Sequence, residues 1–160
     1  MHFDFDALYA FHGHRCPMST MGARMGMAAM EALGLTKADQ FIVEARCFAR
    51  NCALDGVQFT TGCTLGNGNI SFEDAGKTLL ALRRRDGSRE VSVSMSAAAA
   101  ARFAENKHRR AGLLAEREIS GLPRAMEIDA LVEREFRALI KWVQEADAAE
   151  LLEVERNKGA

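Results

Sequence analysis

The run Phe11-His12-Gly13-His14-Arg15-Cys16-Pro17 places two imidazoles and a thiol at every second position. In an extended segment alternate side chains point to one side, so this spacing predicts that His12, His14 and Cys16 converge as ligands of one metal ion. Pro17 suits the first turn of a following helix, where its missing N–H has no intrahelical bond to lose. Cys16 then sits at the positive end of that helix. Unpaired backbone N–H groups there stabilise a thiolate, which lowers the thiol pKa and makes it a better nucleophile and ligand.

Two further thiols are candidates to complete the site. Cys52 follows Asn51, a good helix cap, and opens a helical run through Ala53, Leu54, Val57 and Gln58 to Thr61, stopped by Gly62. Cys63 begins Cys63-Thr64-Leu65-Gly66-Asn67-Gly68-Asn69, whose small, turn-forming residues predict a tight loop. In one unbroken helix the two Cα atoms would stand roughly 16 Å apart at about 1.5 Å per residue, so both cannot bind one ion within a single protomer. Either Cys52 supplies a second thiol at a helix N-terminus, or Cys63 reaches the site from its loop, across a dimer interface if need be. The freedom of Gly62, Gly66 and Gly68 tips the expectation slightly to Cys63. Asp55, one turn after Cys52, faces the same side. It can orient an imidazole or accept a proton, so Asp55 and His12 are the candidate catalytic residues beside the metal candidates His14, Cys16, Cys52 and Cys63. Mixed thiolate and imidazole ligands favour zinc or another borderline-soft divalent ion. Gln58 either bonds a ligand or lines an interface, Lys77 is the basic residue expected near the glycine-rich loop, and Cys47 reads as core.

The elements that must position these groups follow from periodicity. Asp4 to about Phe11 predicts a short helix capped by Asp4 or Asp6, and Pro17 to Leu33 a second helix with a methionine stripe, ended by Gly34. Phe41–Ala49 alternates as a strand with Phe41, Val43, Ala45, Cys47 and Ala49 on one face. Lys77–Arg84 and Arg89–Met95 form a hairpin about Asp86-Gly87. Ser96 caps a helix that runs, with a break, to about Ser120, and a last helix spans about Ile128 to Arg156. This order predicts an α+β fold with a small, mainly antiparallel sheet packed with helices and a long C-terminal helix.

The 160 residues have the length of a single domain. Of these, 48% are hydrophobic and 27% charged, the balance of a globular chain and not of a disordered one. A formal net charge of −1 exerts no general pull on nucleic acid or anionic membrane. The acidic start lacks the pattern of a secretion signal and no apolar run is long enough to span a bilayer, so a cytoplasmic location with reduced cysteines is expected. His2 is expected to be disordered, and His108 falls in the basic cluster Lys107–Arg110, read as a solvated face; neither is given a role.

Taken together, the histidine and cysteine run, Gly22 and Gly26, Cys52-Ala53-Leu54-Asp55-Gly56-Val57-Gln58, Thr61-Gly62-Cys63-Thr64-Leu65-Gly66-Asn67-Gly68-Asn69 and Gly76-Lys77 resemble the FmdE family, which takes its name from formylmethanofuran dehydrogenase. The pieces stand in the family's order over about the first half of the chain. One departure is Met18, where the family pattern usually has glycine. The resemblance implies an α+β core forming an intertwined dimer. Some members add a C-terminal zinc finger, and since no cysteine follows Cys63 the resemblance is to the core domain alone. It also implies a link to molybdenum or tungsten enzyme metabolism, without implying that this chain performs the dehydrogenase reaction.

Three functions are then in view. One is a metal-binding accessory protein, a homodimer handling an ion or a small sulfur- or pterin-bearing ligand, or serving a molybdenum or tungsten enzyme. Another is a zinc-dependent enzyme acting on a small molecule, with Asp55 or His12 moving protons. A third, a regulatory or nucleic-acid-binding module, is suggested only by the finger in longer relatives and by Arg83-Arg84-Arg85 with Lys107–Arg110, and it sits poorly with a chain that lacks the finger and has a slightly negative net charge.

Overall fold

The computed structural model describes residues 3–36 and 41–158, and the expectation about His2 falls outside them. The helices are α1 (Phe5–His12), α2 (Pro17–Ala32), α3 (Ala53–Thr61), α4 (Ala97–Ile119), α5 (Leu122–Glu145) and the single turn α6 (Ala148–Leu151). The strands are β1 (Val43–Cys47), β2 (Ile70–Phe72), β3 (Leu79–Arg84), β4 (Arg89–Met95) and β5 (Leu152–Lys158). They form one sheet in the order β2-β1-β3-β4-β5, parallel between β1 and β2 and antiparallel elsewhere. The architecture is α+β, as expected. Parallel neighbours need a crossover, and α3 supplies it between β1 and β2.

Local chemistry accounts for most boundaries. The Asp4 carboxylate accepts from the Ala7 N–H at 3.0 Å to open α1, and Ser96 accepts from Ala99 at 3.0 Å to open α4. The hairpin turns where expected, with Gly87 at φ 74° and the Ser88 N–H donating to the Asp86 carboxylate at 2.9 Å. Val43, Ala45 and Cys47 of β1, Leu80 and Leu82 of β3, and Val91 and Val93 of β4 make one buried sheet face. Met21, Met25 and Ala29 of α2, Val57 of α3, and Leu139 and Val143 of α5 cover it. The methionine stripe is therefore adaptable core.

Helices α2 and α3 meet backbone to backbone. A Cβ on Gly22 would lie 2.0 Å from the Ala53 carbonyl oxygen, and one on Gly56 would lie 2.1 Å from that of Ser19. Only glycine admits this approach, and it brings the first turn of α2 beside the first turn of α3. Both helices begin at a cysteine, Cys16 as the N-cap of α2 and Cys52 as that of α3. A second cluster of Leu8, Tyr9, Ala23 and Ile140 seats α1 on α2 and α5.

Several expectations need correction. Helix α4 is continuous from Ala97 to Ile119, with no break. The last long helix starts earlier than expected and ends at Glu145, because Ala146 and Asp147 turn extended at ψ 151° and 145°. Beyond α6 the chain becomes β5, whose Leu152, Val154 and Arg156 pair with Met95, Val93 and Val91 of β4. The helix-forming composition of this segment yields to an available sheet edge. Phe41 is 80% exposed and precedes the strand, and β2, with only three residues, is too short to show an alternating pattern. Leu139, Ile140 and Val143 of α5 are buried within the protomer, so the apolar face they make needs no second chain to cover it.

Candidate metal centre

The ligating atoms of His12, His14, Cys16 and Cys52 all lie within 4.8 Å of one another. Their convergence comes about differently from the extended run expected. His12 is the last residue of α1, Gly13 takes a left-handed φ of 89° that reverses the chain, and Cys16 is extended at φ −144°. The left-handed turn is what brings His14 back against His12, with ring centroids 4.4 Å apart. Cys16 is held by its own carbonyl, which accepts from Ser19 Oγ at 3.0 Å, Thr20 Oγ1 at 2.7 Å and Thr20 N at 3.1 Å. Thr20 Oγ1 in turn shares a 2.7 Å hydrogen bond with the buried Tyr9 hydroxyl.

Asp55 completes the arrangement from α3. Its Oδ2 stands 2.7 Å from His12 Nδ1, and the His12 side chain is only 7% exposed. A carboxylate accepts, so Nδ1 carries the proton and Nε2 presents its lone pair. That Nε2 is buried and has no hydrogen-bond partner among the described residues. An orphaned buried acceptor is costly in a folded protein, and a metal ion satisfies it. The carboxylate, imidazole and ion then form an orienting triad. The donor set, two thiols and two imidazoles, suits a tetrahedral zinc-like ion.

Cys52 does not behave as an isolated thiol at a helix end should. Burial, then the neighbouring Cys16, hold its pKa above the ordinary thiol value. Two thiols at one site disfavour each other's ionisation, and a divalent cation reverses that.

Cys63, the slightly favoured completing cysteine, stands apart from this group. It is fully buried, its thiol donates to the Val43 carbonyl at 3.6 Å, and burial raises its pKa. A thiol sealed in the core cannot reach across an interface either. Cys47 is core as expected, and burial pushes its thiol up to about 12.

The glycine-rich loop meets the site through Gln58. Gln58 Nε2 donates to Asp55 Oδ1 at 3.1 Å, while Gln58 Oε1 accepts from the Leu65 N–H at 3.1 Å. Cys52, Asp55 and Gln58 recur every third residue along one face of α3. Lys77 was the basic residue expected at this loop, but Arg85 is the one whose guanidinium reaches Asn69. An arginine just past the end of β3 carries no local signal of such a role. Three arginines of the basic clusters are engaged within the chain, Arg83 with Glu44, Arg84 with Asp86 and Arg109 with Glu105 and Glu135. No helix among the described residues is long and apolar enough to cross a membrane.

Comparison with known proteins bears on the family and the fold. A family model described as "FmdE, Molybdenum formylmethanofuran dehydrogenase operon" matches residues 11–153. A crystal structure of a tungsten formylmethanofuran dehydrogenase FmdE-like protein from Syntrophus aciditrophicus superposes with a TM-score of 0.62 at 22% identity. The superposition covers 96% of this chain and 69% of that one, and it shows a shared fold. A probable S-adenosyl-L-methionine-binding protein from Archaeoglobus fulgidus is 40% identical over 93 residues. That match takes in 54% of this chain but only 25% of the relative.

Proposed function

The chain belongs to the FmdE family, and from that premise we propose that it is a metal-binding accessory protein which holds one zinc-like divalent ion at His12, His14, Cys16 and Cys52. The observation that carries this reading is the buried, unpartnered His12 Nε2 within 4.8 Å of the other three ligating atoms. Bound there, the ion supplies a Lewis-acidic centre that holds both thiols as thiolates. The chain's own part is to orient His12 through Asp55, to fix Cys16 through Ser19 and Thr20, and to bring up Cys52 on α3.

The four ligands are not equally enclosed. Cys16 is buried and the His12 side chain nearly so, whereas His14 is exposed. An exposed imidazole is the ligand an incoming donor displaces most readily. This suits a protein that takes up or passes on an ion in molybdenum or tungsten enzyme metabolism. The same exposure is the one feature that favours the second reading, a zinc-dependent enzyme in which His14 yields a coordination position to a small substrate. The proposal includes a homodimer, supported by the apolar residues left exposed around the α4–α5 turn.

Elemental analysis of tag-free protein, followed by zinc titration of chelator-treated protein, tests the reading. About one ion per protomer is expected, lost in Cys16→Ala. Protein that is metal-free and refuses added zinc overturns it. Calorimetry of the zinc-loaded protein with S-adenosyl-L-methionine then asks whether the ligand in the relative's name binds here. A water or substrate in place of His14 in the cobalt-substituted spectrum would turn the choice to the enzyme.

A further inference from the structure

We propose that Gln58 is a positioning residue that couples the loop 63–69 to the metal centre, so that occupancy of the site and the state of that loop control one another. This rests on the metal-binding reading above.

The orientation of the Gln58 amide follows from its partners. A carboxylate can only accept and a backbone N–H can only donate, so Nε2 must face Asp55 and Oε1 must face Leu65. Flipping the amide would set two acceptors, and also two donors, against each other. With Asp55 Oδ2 on His12 Nδ1, a continuous chain of three hydrogen bonds runs from the Leu65 amide to the imidazole whose Nε2 faces the site. Each member has a single compatible arrangement, so a displacement at one end is felt at the other.

The loop end of this chain is built as a unit. Asn67 Oδ1 accepts from the N–H groups of Thr64 at 2.9 Å and Asn69 at 3.1 Å, while its Nδ2 donates to the Gly62 carbonyl at 2.8 Å. The Asn67 N–H also donates to Thr64 Oγ1 at 3.1 Å. A loop cross-braced in this way moves as one piece. Its Leu65 side chain is 56% exposed, a handle on which a partner or ligand can pull. Linkage is reciprocal: whatever draws Leu65 off Gln58 loosens the ion, and the ion holds Leu65 in place.

The test uses zinc alone as the probe, on the full chain. Zinc affinity is measured by chelator competition and Leu65 amide exchange by NMR, with and without zinc, in the wild type, Gln58→Met and Gln58→Glu. Methionine keeps the length of the side chain without either hydrogen bond. Glutamate can still accept from Leu65 but cannot donate to Asp55, and sets a like charge beside it. Removing an outer-shell partner of a ligating histidine typically costs 10–100-fold in affinity, and one link further out about fivefold is expected. Zinc should slow Leu65 exchange in the wild type and leave it unchanged in Gln58→Met. Equal zinc affinity in all three proteins overturns the coupling, as does a wild-type Leu65 amide indifferent to zinc, an outcome that does not depend on any variant folding. A wild type that binds no zinc overturns the metal reading and this inference with it.

Discussion

His12 Nδ1 and Asp55 Oδ2 stand 2.7 Å apart, joining the end of α1 to the first turn of α3 across 43 residues of chain. The pair fixes which nitrogen of the ring is free, and so aims a histidine at a helix end into the proposed metal site. Asp55 is thereby an orienting group. Asp55→Asn keeps the size of the side chain and removes the charge that makes the ring a stronger donor. Zinc affinity should fall about tenfold to a hundredfold, while the melting temperature of the metal-free protein stays within a few degrees. Unchanged affinity by chelator competition would show that Asp55 does not act through His12.

The two outlying cysteines should separate cleanly. Cys52→Ser should abolish stoichiometric zinc binding, since it removes one of four convergent ligands. Cys63→Ser should retain zinc and lose about 1 kcal/mol of stability, because it places a more polar group in a fully buried position. Metal analysis and denaturant unfolding of the two variants check this. Loss of zinc from the Cys63 variant alone would contradict the arrangement.

Much of the site was legible in the residues. The alternation of His12, His14 and Cys16 ahead of Pro17 marked three side chains that do meet, although His12 was read as a proton carrier beside the metal candidates, and the helical spacing of Cys52 and Asp55 marked a shared face. The choice between Cys52 and Cys63 was not legible, because it turns on how closely α2 approaches α3. That approach depends on Gly22 and Gly56 lying opposite backbone atoms, a tertiary fact with no local signature. The Gln58 link escaped for the same reason, since Leu65 meets it only after the chain has turned at Gly62. In the fold, the hairpin and the capped helices were written locally, whereas β5 was not. Its residues favour a helix, and only the open edge of β4 makes them a strand.

The glycine contact gives a prediction in which fold and site fail together. In Gly22→Ala the new methyl group would meet the Ala53 carbonyl oxygen at 2.0 Å, and backbone cannot swing aside as a side chain can. Overpacking of this kind costs about 1–3 kcal/mol. Parting the helices also carries Cys52 away from Cys16, so zinc affinity should drop by more than the stability loss alone would give. Gly87→Ala, in the hairpin turn where φ is 74° and no atom lies within 4 Å, should cost stability and leave zinc affinity unaltered.

Alkaline pH should weaken the metal-free protein. The Cys47 thiol ionises near 9.0 when unfolded but is pushed up to about 12 by burial in the fold. The folded state therefore keeps a proton the unfolded state releases. Its stabilising effect is full below pH 9.0, falls as pH rises above that value, and is gone near 12. The slope should approach about 1.4 kcal/mol per pH unit for this one group. Burial raises Cys63 in the same sense and steepens the fall. Urea unfolding of chelated protein across the pH range above 9.0 measures it, with Cys47→Ala expected to flatten the curve by one proton.

We place the proposed homodimer at the turn that joins α4 and α5. With Leu139, Ile140 and Val143 buried inside the protomer, the large apolar side chains still exposed on α4 and α5 gather near their connecting turn, Ile119 at 89%, Leu122 at 76%, Met126 at 65% and Leu114 at 42%. Around them several charges are already paired within the chain, Arg117 with Asp129 and Arg124 with Glu116 and Glu127. Neutralised surroundings and an apolar centre are what a self-associating patch requires. A helical hairpin that holds its tip away from the sheet core can lodge that tip on a second copy. Light scattering at micromolar concentration should give twice the chain mass of 17.6 kDa. The double substitution Ile119→Lys, Met126→Lys should shift the protein to monomer without lowering its helix content, because neither side chain is buried in the protomer. A wild-type monomer, or a dimer untouched by both lysines, would take the interface away from this hairpin.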